Sequence, residues 1–261
     1  MEVIALALLT SWVSAAETEV LSGKEIVQRC HYKYAGDDQR SHLLVTSELT
    51  NGKKISNEYI RLWKNYGGKD GVVDKVILYT TSAHNQGLAF MRWGYVKGSK
   101  RLADQWVYLP ETRVVKRISK RSPDEMDWGF SDDDLHVRDI DEDDHRFIEV
   151  RTVGEKSFYV VESRPKHDHV YGKRIVWFSK EDDWKRCVES RIDYFDKEMK
   201  MVKTQRFTWQ NIEGVWVWKT AVIKNFRADS TTVYEVTNIE VNVGLKDREF
   251  TARALARGYQ H

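Results

Sequence analysis

The chain has 261 residues, 41% of them hydrophobic and 31% charged, and its 42 basic and 40 acidic side chains leave a net charge of +2. That hydrophobic share excludes a disordered chain. The near balance of charge excludes a dedicated nucleic-acid binder, whose phosphate contacts demand a basic excess.

In chain order, Val3–Val13 is apolar apart from Thr10 and Ser11 and runs into Ser14-Ala15-Ala16, then Glu17-Thr18-Glu19. This is the pattern of a secretory leader over residues 1–16, although its first two residues, Met1-Glu2, carry no Lys or Arg. It is shorter than the ~20 apolar residues that a membrane span requires. A single domain over residues 17–261 is expected to follow it, since large all-β domains reach this length. Ser22-Gly23-Lys24-Glu25 forms a capping box, in which the Ser hydroxyl and the Glu carboxylate each satisfy an orphan amide. Ile26, Val27, Cys30 and Tyr34 then share one helical stripe, and Gly36 is the expected stop.

Leu43–Leu49, Ile55–Trp63, Val76–Thr81 and Leu88–Trp93 read as strands, divided by turn signals at Asn51-Gly52 and Gly67-Gly68. Trp106–Leu109 and Arg113–Ile118 pair around Pro110-Glu111-Thr112. Ser122–His145 breaks the pattern. It is acidic, carries Met126, Trp128, Phe130 and Leu135, and reads as a long, partly helical excursion over a sheet face or edge. Strands resume at Phe147–Thr152, Ser157–Ser163 and Lys173–Phe178. Val188–Asp196, Met199–Gln210, Val215–Asn225 and Thr231–Val243 then follow with connections too short for parallel crossovers. The chain therefore builds one large antiparallel meander. A short helix over Ala252–Arg257, capped by Thr251, stapled by Phe250 and Leu255 and ended by Gly258, closes it.

Reactive chemistry is sparse. There is no G-x-S-x-G, H-E-x-x-H, phosphate-binding loop or C-x-x-C. His167-Asp168-His169 reads as a solvated hairpin loop, and the aspartate runs read as a solvated acidic face that lacks the alternation of a calcium loop. Cys30 and Cys187 are expected to be two buried thiols, with pairing in an oxidising compartment as the alternative. Twelve per cent of residues are aromatic. Trp106 and Tyr108 share a strand face, as do Ile175 and Trp177, and Trp216 and Trp218. One sheet with few helices has little to cover so wide an apolar face, so an apolar ligand is a candidate partner.

Several ordered blocks carry a family resemblance. They are Gln105-Trp106-Val107-Tyr108-Leu109-Pro110, Arg117-Ile118-Ser119, Trp128-Gly129-Phe130-Ser131-Asp132-Asp133-Asp134-Leu135, Lys173-Arg174-Ile175-Val176-Trp177-Phe178, Tyr194-Phe195-Asp196 and Ile239–Leu245, with Phe250 and Ala254-Leu255. Over roughly residues 21–258 the chain resembles the bacterial outer-membrane lipoprotein-sorting proteins, which are similar to the periplasmic lipoprotein carrier LolA. It departs at Gly129-Phe130-Ser131, where relatives often have a small Gly-Ser-Asp element. The resemblance implies a mainly β fold, an unclosed antiparallel β-barrel, or half-barrel, with a few covering helices.

The resemblance also implies a periplasmic, non-enzymatic and monomeric carrier, a chaperone without a cofactor. Its apolar cavity would take acyl chains of lipoproteins or other lipids for transfer to the outer membrane. An inner-membrane transporter of the resistance-nodulation type and an outer-membrane acceptor would be its partners. Trp106, Tyr108, Trp128, Phe130, Ile175, Trp177, Trp216 and Trp218 are the cavity candidates, and strand alternation turns about half of them inward. The excursion would serve as lid or handover contact. An envelope lipid-sensing module of RseB type is the alternative, and a secreted hydrolase using the acidic excursion is a third.

Overall fold

The computed structural model describes residues 21–83, 86–96, 103–118, 139–167 and 170–259. Among these residues thirteen strands form one sheet. They are β1 (Asp38–Glu48), β2 (Lys54–Asn65), β3 (Val72–Thr80), β4 (Ala89–Tyr95), β5 (Asp104–Leu109), β6 (Val114–Ile118) and β7 (Asp143–Val153), then β8 (Lys156–Pro165), β9 (Lys173–Ser179), β10 (Glu189–Phe195), β11 (Met201–Ile212), β12 (Val215–Asn225) and β13 (Ser230–Val241). Every sequence-expected strand is present; β1, β2, β3, β7 and β8 are longer by three to five residues, and the rest keep their expected length to within two. The expected excursion ends sooner than His145: Asp143, Asp144 and His145 open β7, and a single 3-10 turn over Ile140–Glu142 precedes them. Residues 122–138 of that segment lie outside the described residues, as do the leader and the Asp168-His169 pair.

All the pairings described are antiparallel, and neighbours in sequence are neighbours in the sheet with one exception. Among the described residues β6 and β7 are the two edges of the sheet, and β1 pairs with β13 instead. The barrel is therefore open where the chain runs from β6 to β7 and sealed where its two terminal strands meet. That seal is reinforced by Asp38, whose carboxylate accepts from the backbone N–H groups of Val243, Gly244 and Leu245 at 2.8–3.2 Å.

The paired registers divide the side chains into two faces. Val161, Val176, Ile192, Gln205, Ile223, Leu43, Tyr59, Leu78 and Phe90 lie on one of them. Along the middle strands this face is buried, while the opposite face shows Arg206, Thr208, Glu235 and His42 to solvent. It is the inside of the barrel. Phe207 packs against both apolar clusters of this face, which makes them one continuous interior.

Helix α1 (Gly23–Cys30) lies inside, against β7 and β8. Its capping box is formed as the sequence predicts, with the Glu25 amide donating to Ser22 Oγ at 3.2 Å and the Ser22 amide donating to Glu25 at 2.8 Å. Glycine at position 23 has a packing cause. A Cβ there would lie 2.6 Å from the Phe147 amide nitrogen, so any other residue would push the helix off β7. The helix stops at Cys30 rather than near Gly36. Beyond it the chain is extended, and the Tyr34 carbonyl accepts from the Trp216 amide at 2.9 Å, which takes Tyr34 off the helical stripe and leaves it exposed.

Helix α2 (Ala252–Arg257) lies outside, against β4, β5 and β6. Thr251 caps it and Gly258 ends it at φ 80°. Phe250 and Leu255, both fully buried, join Ile60, Leu62, Ile77 and Met91 beneath it.

The two cysteines are bonded to each other, contrary to the expectation of separate thiols. Cys30 and Cys187 are joined with their Cα atoms 4.9 Å apart, across 157 residues of sequence. Both sulfurs are buried in the core under α1, where the sheet brings the start of β10 beneath the end of the helix. No local signal could have announced a contact over that distance.

Candidate functional site

The inner face along β1–β4 and β11–β13 is the candidate site. Its floor is Leu43, Val45, Tyr59, Leu78, Phe90, Ala221, Ile223 and Tyr234, all buried. Its rim is half-buried and aromatic: Trp63, Phe207 and Trp218, with Ile118 and Val236. Among the described residues the main contacts of α1 fall on β7 and β8, and those of α2 fall on β4, β5 and β6 from the far side of the sheet.

Phe207, Trp209 and Trp218 form one aromatic group, with ring centroids 5.4–6.3 Å apart in tilted and edge-on contacts. A bulge at Thr208/Trp209 sets this up. It shifts the phase of β12, so that Trp216 and Trp218 point inward at one end while Ala221 and Ile223 do so at the other. The shift also explains why this strand is apolar on both sides. Val215 and Val217 face outward yet are buried, and Val215 packs where the chain passes Gly36. Trp209 Nε1 donates to the Glu189 carbonyl at 2.6 Å, and the Glu189 carboxylate is 2.6 Å from His31 Nδ1. The rim is thereby tied to the end of α1. Burial alone would raise the Glu189 pKa, but the charge and hydrogen bond of His31, with Arg174, hold it below the ordinary range.

Polar groups occupy one end of the same face. Arg61 Nη1 donates to Gln39 Oε1 at 2.9 Å. Asp74 accepts from Arg92 Nη1 at 3.1 Å and from Trp63 Nε1 at 3.2 Å. Gly94 makes room for this pair, since a Cβ there would lie 2.4 Å from Asp74 Oδ1 and 2.9 Å from Arg92 Nη1. Burial pushes the Arg61 pKa down to about 10, partly countered by the Asp74 charge, so the guanidinium stays charged at neutral pH. Arg61 nevertheless keeps some surface open to solvent.

A family model described as "-like: Uncharacterized protein" matches residues 71–257. The chain belongs to that family. Among solved structures, a DUF1329 family protein from Desulfovibrio piger is 26% identical with a TM-score of 0.77, over 89% of this chain and 97% of that one. An outer membrane lipoprotein-sorting protein domain from Vibrio parahaemolyticus is 21% identical with a TM-score of 0.73, over 90% and 98%. A LolA superfamily protein from Nitrosomonas europaea is 15% identical with a TM-score of 0.65, over 90% and 100%. No curated protein matches the chain significantly. The family's fold is thus the LolA-like unclosed barrel, as the sequence blocks from Trp106 onward imply.

Within this family member the sequence-expected aromatics do not form one group. Trp216 and Trp218 are on the inner face. Trp106 and Tyr108 are on the outer one, where Trp106 meets Trp93 edge-on at 5.1 Å and both residues pack into the cluster beneath α2. Ile175 and Trp177 are also outside, because Val176 between them faces α1. Trp177 is only 9% exposed, held between the guanidinium groups of Arg151 and Arg191, each 5.2 Å from its ring. Trp128 and Phe130 lie outside the described residues. Phe207, Trp209, Trp63 and Arg61 were not singled out from sequence. The signal for Trp209 was present, since a short turn at Asn211–Gly214 must bring it opposite Trp216 or Trp218.

The acidic residues that the sequence left as a solvated face are partly engaged. Asp141 binds Lys24 Nζ at 2.8 Å, and Asp143 pairs with the buried Arg174. Among the described residues no cluster of His, Cys, Asp and Glu is arranged to hold a metal. None of their helices is long and apolar enough to cross a membrane.

Proposed function

We propose that this chain is a periplasmic, non-catalytic carrier that shelters acyl chains of lipoproteins or other lipids on the inner face of its open barrel and passes them toward the outer membrane. The observation that carries the reading is the aromatic rim of Trp63, Phe207, Trp209 and Trp218 beside an apolar floor, away from the main contacts of α1 and α2 among the described residues. The shared fold with a lipoprotein-sorting domain and a LolA superfamily protein supports it.

The energetics suit such a role. Each methylene withdrawn from water is worth about 0.8 kcal/mol, so an acyl anchor does not cross an aqueous compartment unaided. An open-sided face hides it without covalent chemistry, and the side of the barrel where β6 and β7 do not pair is the proposed route in and out. Release then requires an acceptor that binds the chain more tightly, by about 1.4 kcal/mol for each tenfold preference. A transporter of the resistance-nodulation type as donor and an outer-membrane acceptor would complete the route.

Native mass spectrometry of gently purified protein tests the carrier reading, together with titration by a fluorescent fatty acid. Copurified lipid and saturable uptake are expected. Trp218→Glu should weaken uptake at least tenfold, whereas Trp177→Glu, on the outer face, should not weaken it if the variant remains folded. Uptake unaffected by Trp218→Glu in a folded variant would overturn the placement of the lipid on this face, and absence of any lipid binding would overturn the carrier role.

A further inference from the structure

The registers of β1 to β4 sort the inner face along the strand direction. At one end are Gln39 opposite Trp63, then Val76 opposite Arg92, with Asp74 opposite Gly94 just beyond. One step in, Ser41 stands opposite Arg61, which stands opposite Leu78 and then Phe90. One step further, Leu43 faces Tyr59. Charge is thus confined to one end of the wall: beyond Arg61 the inner-face rows of these strands hold none, the uncharged Thr80 and Asn57 standing among apolar residues. A surface with charge at one end and a greasy floor at the other complements an amphiphile with a compact head and an extended tail.

The charged end contains a guanidinium with capacity to spare. Arginine presents five donors in a rigid fork suited to carboxylate and phosphate. Among the described residues the acceptor that Arg61 reaches is Gln39 Oε1, at 2.9 Å. The nearby carboxylate of Asp74 spends its oxygens on Arg92 and Trp63. The Arg61 guanidinium carbon is 5.9 Å from the centre of the Trp63 ring, and the strand partners of Arg61 on this face are Ser41 and Leu78.

We propose that Arg61 anchors an anionic headgroup, a carboxylate or phosphate, whose acyl chain lies along the floor formed by Leu43, Val45, Tyr59, Leu78 and Phe90. This rests on the carrier reading above and adds a class of ligand to it: a singly tailed or multiply tailed anionic amphiphile, in preference to its neutral counterpart. Gln39 fixes the fork from behind and leaves its other edge for the ligand.

The test compares probes with the same tail and different heads on the full-length mature protein: oleate, oleyl alcohol and oleoyl lysophosphatidate, with inorganic phosphate as the tail-free control. The expected result is that wild type prefers both anionic lipids over oleyl alcohol by about 10- to 100-fold, the range for a charge-assisted hydrogen bond. Arg61→Gln should erase that preference while oleyl alcohol binding is retained, which also certifies that the variant is folded. Arg61→Lys should restore part of it. Inorganic phosphate should not displace oleate.

If wild type binds oleate and oleyl alcohol equally, the anchor is overturned and the carrier reading stands. If it binds neither, the carrier reading itself fails. Displacement of oleate by inorganic phosphate alone would mean a free-anion site and would overturn the headgroup assignment. A preference for one anionic lipid over the other identifies the head as carboxylate or phosphate. The wild-type comparison decides the question even if Arg61→Gln does not fold.

Discussion

Removing the Cys30–Cys187 bond gives a stability change whose size follows from the structure. The cross-link closes a loop over 157 residues. The chain-entropy relation for a loop of that length gives about 5 kcal/mol at 25 °C, and measured disulfides commonly deliver 2–4 kcal/mol. We therefore expect a loss of about 3–5 kcal/mol. With an unfolding entropy of about 2.1 cal/mol/K per residue over 261 residues, that lowers Tm by about 5–9 °C. The appropriate assay is urea unfolding of oxidised protein, of protein reduced under a mild phosphine, and of the Cys30→Ala/Cys187→Ala variant. Reduction and double substitution should agree within about 1 kcal/mol, because the sulfurs sit in a core that also accepts small apolar groups. The helix should be the first part to loosen, since Ile26 and Val27 would hold it without the covalent tie. A shift below about 1 kcal/mol in both forms, with unchanged hydrogen-exchange protection of residues 23–30, would contradict this account of the cross-link.

Other expectations follow from particular residues. Gly94→Ala should cost about 3 kcal/mol, the lower end for breaking a buried ion pair, because its methyl displaces Asp74 from Arg92; unchanged denaturation midpoints would show that the pair shifts freely. Phe250→Ala should cost about 3–5 kcal/mol, as for other fully buried aromatics, and calorimetry would detect the corresponding fall in Tm. His145 is held below its ordinary pKa by burial, against the hydrogen bond of Nε2 to the Ile140 carbonyl. The unfolded chain then takes up the proton more readily than the native one, so this contribution is present above pH about 6.5 and is lost as pH falls through the lower native value. Stability measured from pH 7.5 to 5 should decline, and His145→Gln should flatten that part of the slope; an unaltered slope would assign it to other groups.

The strands were legible because their causes are local. Alternating aromatic and β-branched residues, divided by Asn51-Gly52 or by the Glu213-Gly214 turn with both residues at positive φ, define extended segments and hairpins without reference to the rest of the chain. The capping box at Ser22 and the Thr251 cap are equally local. That Trp216 and Trp218 share a face was visible on the same grounds.

Which side of each strand is inside, and what meets there, came from long-range packing. Alternation says that Trp177 and Val176 face opposite ways but not which of them meets a helix; α1 settles it by covering Val176. The bulge at Thr208/Trp209 changes the phase of β11 against β12, so counting by twos through that point gives the wrong face. The pairing of β1 with β13, the bond between Cys30 and Cys187, and the juxtaposition of Gln39, Arg61 and Asp74 join residues whose separation in sequence carries no signal of contact. Local free energies choose the strand and the turn, whereas the curvature of the whole sheet chooses which surface is removed from water.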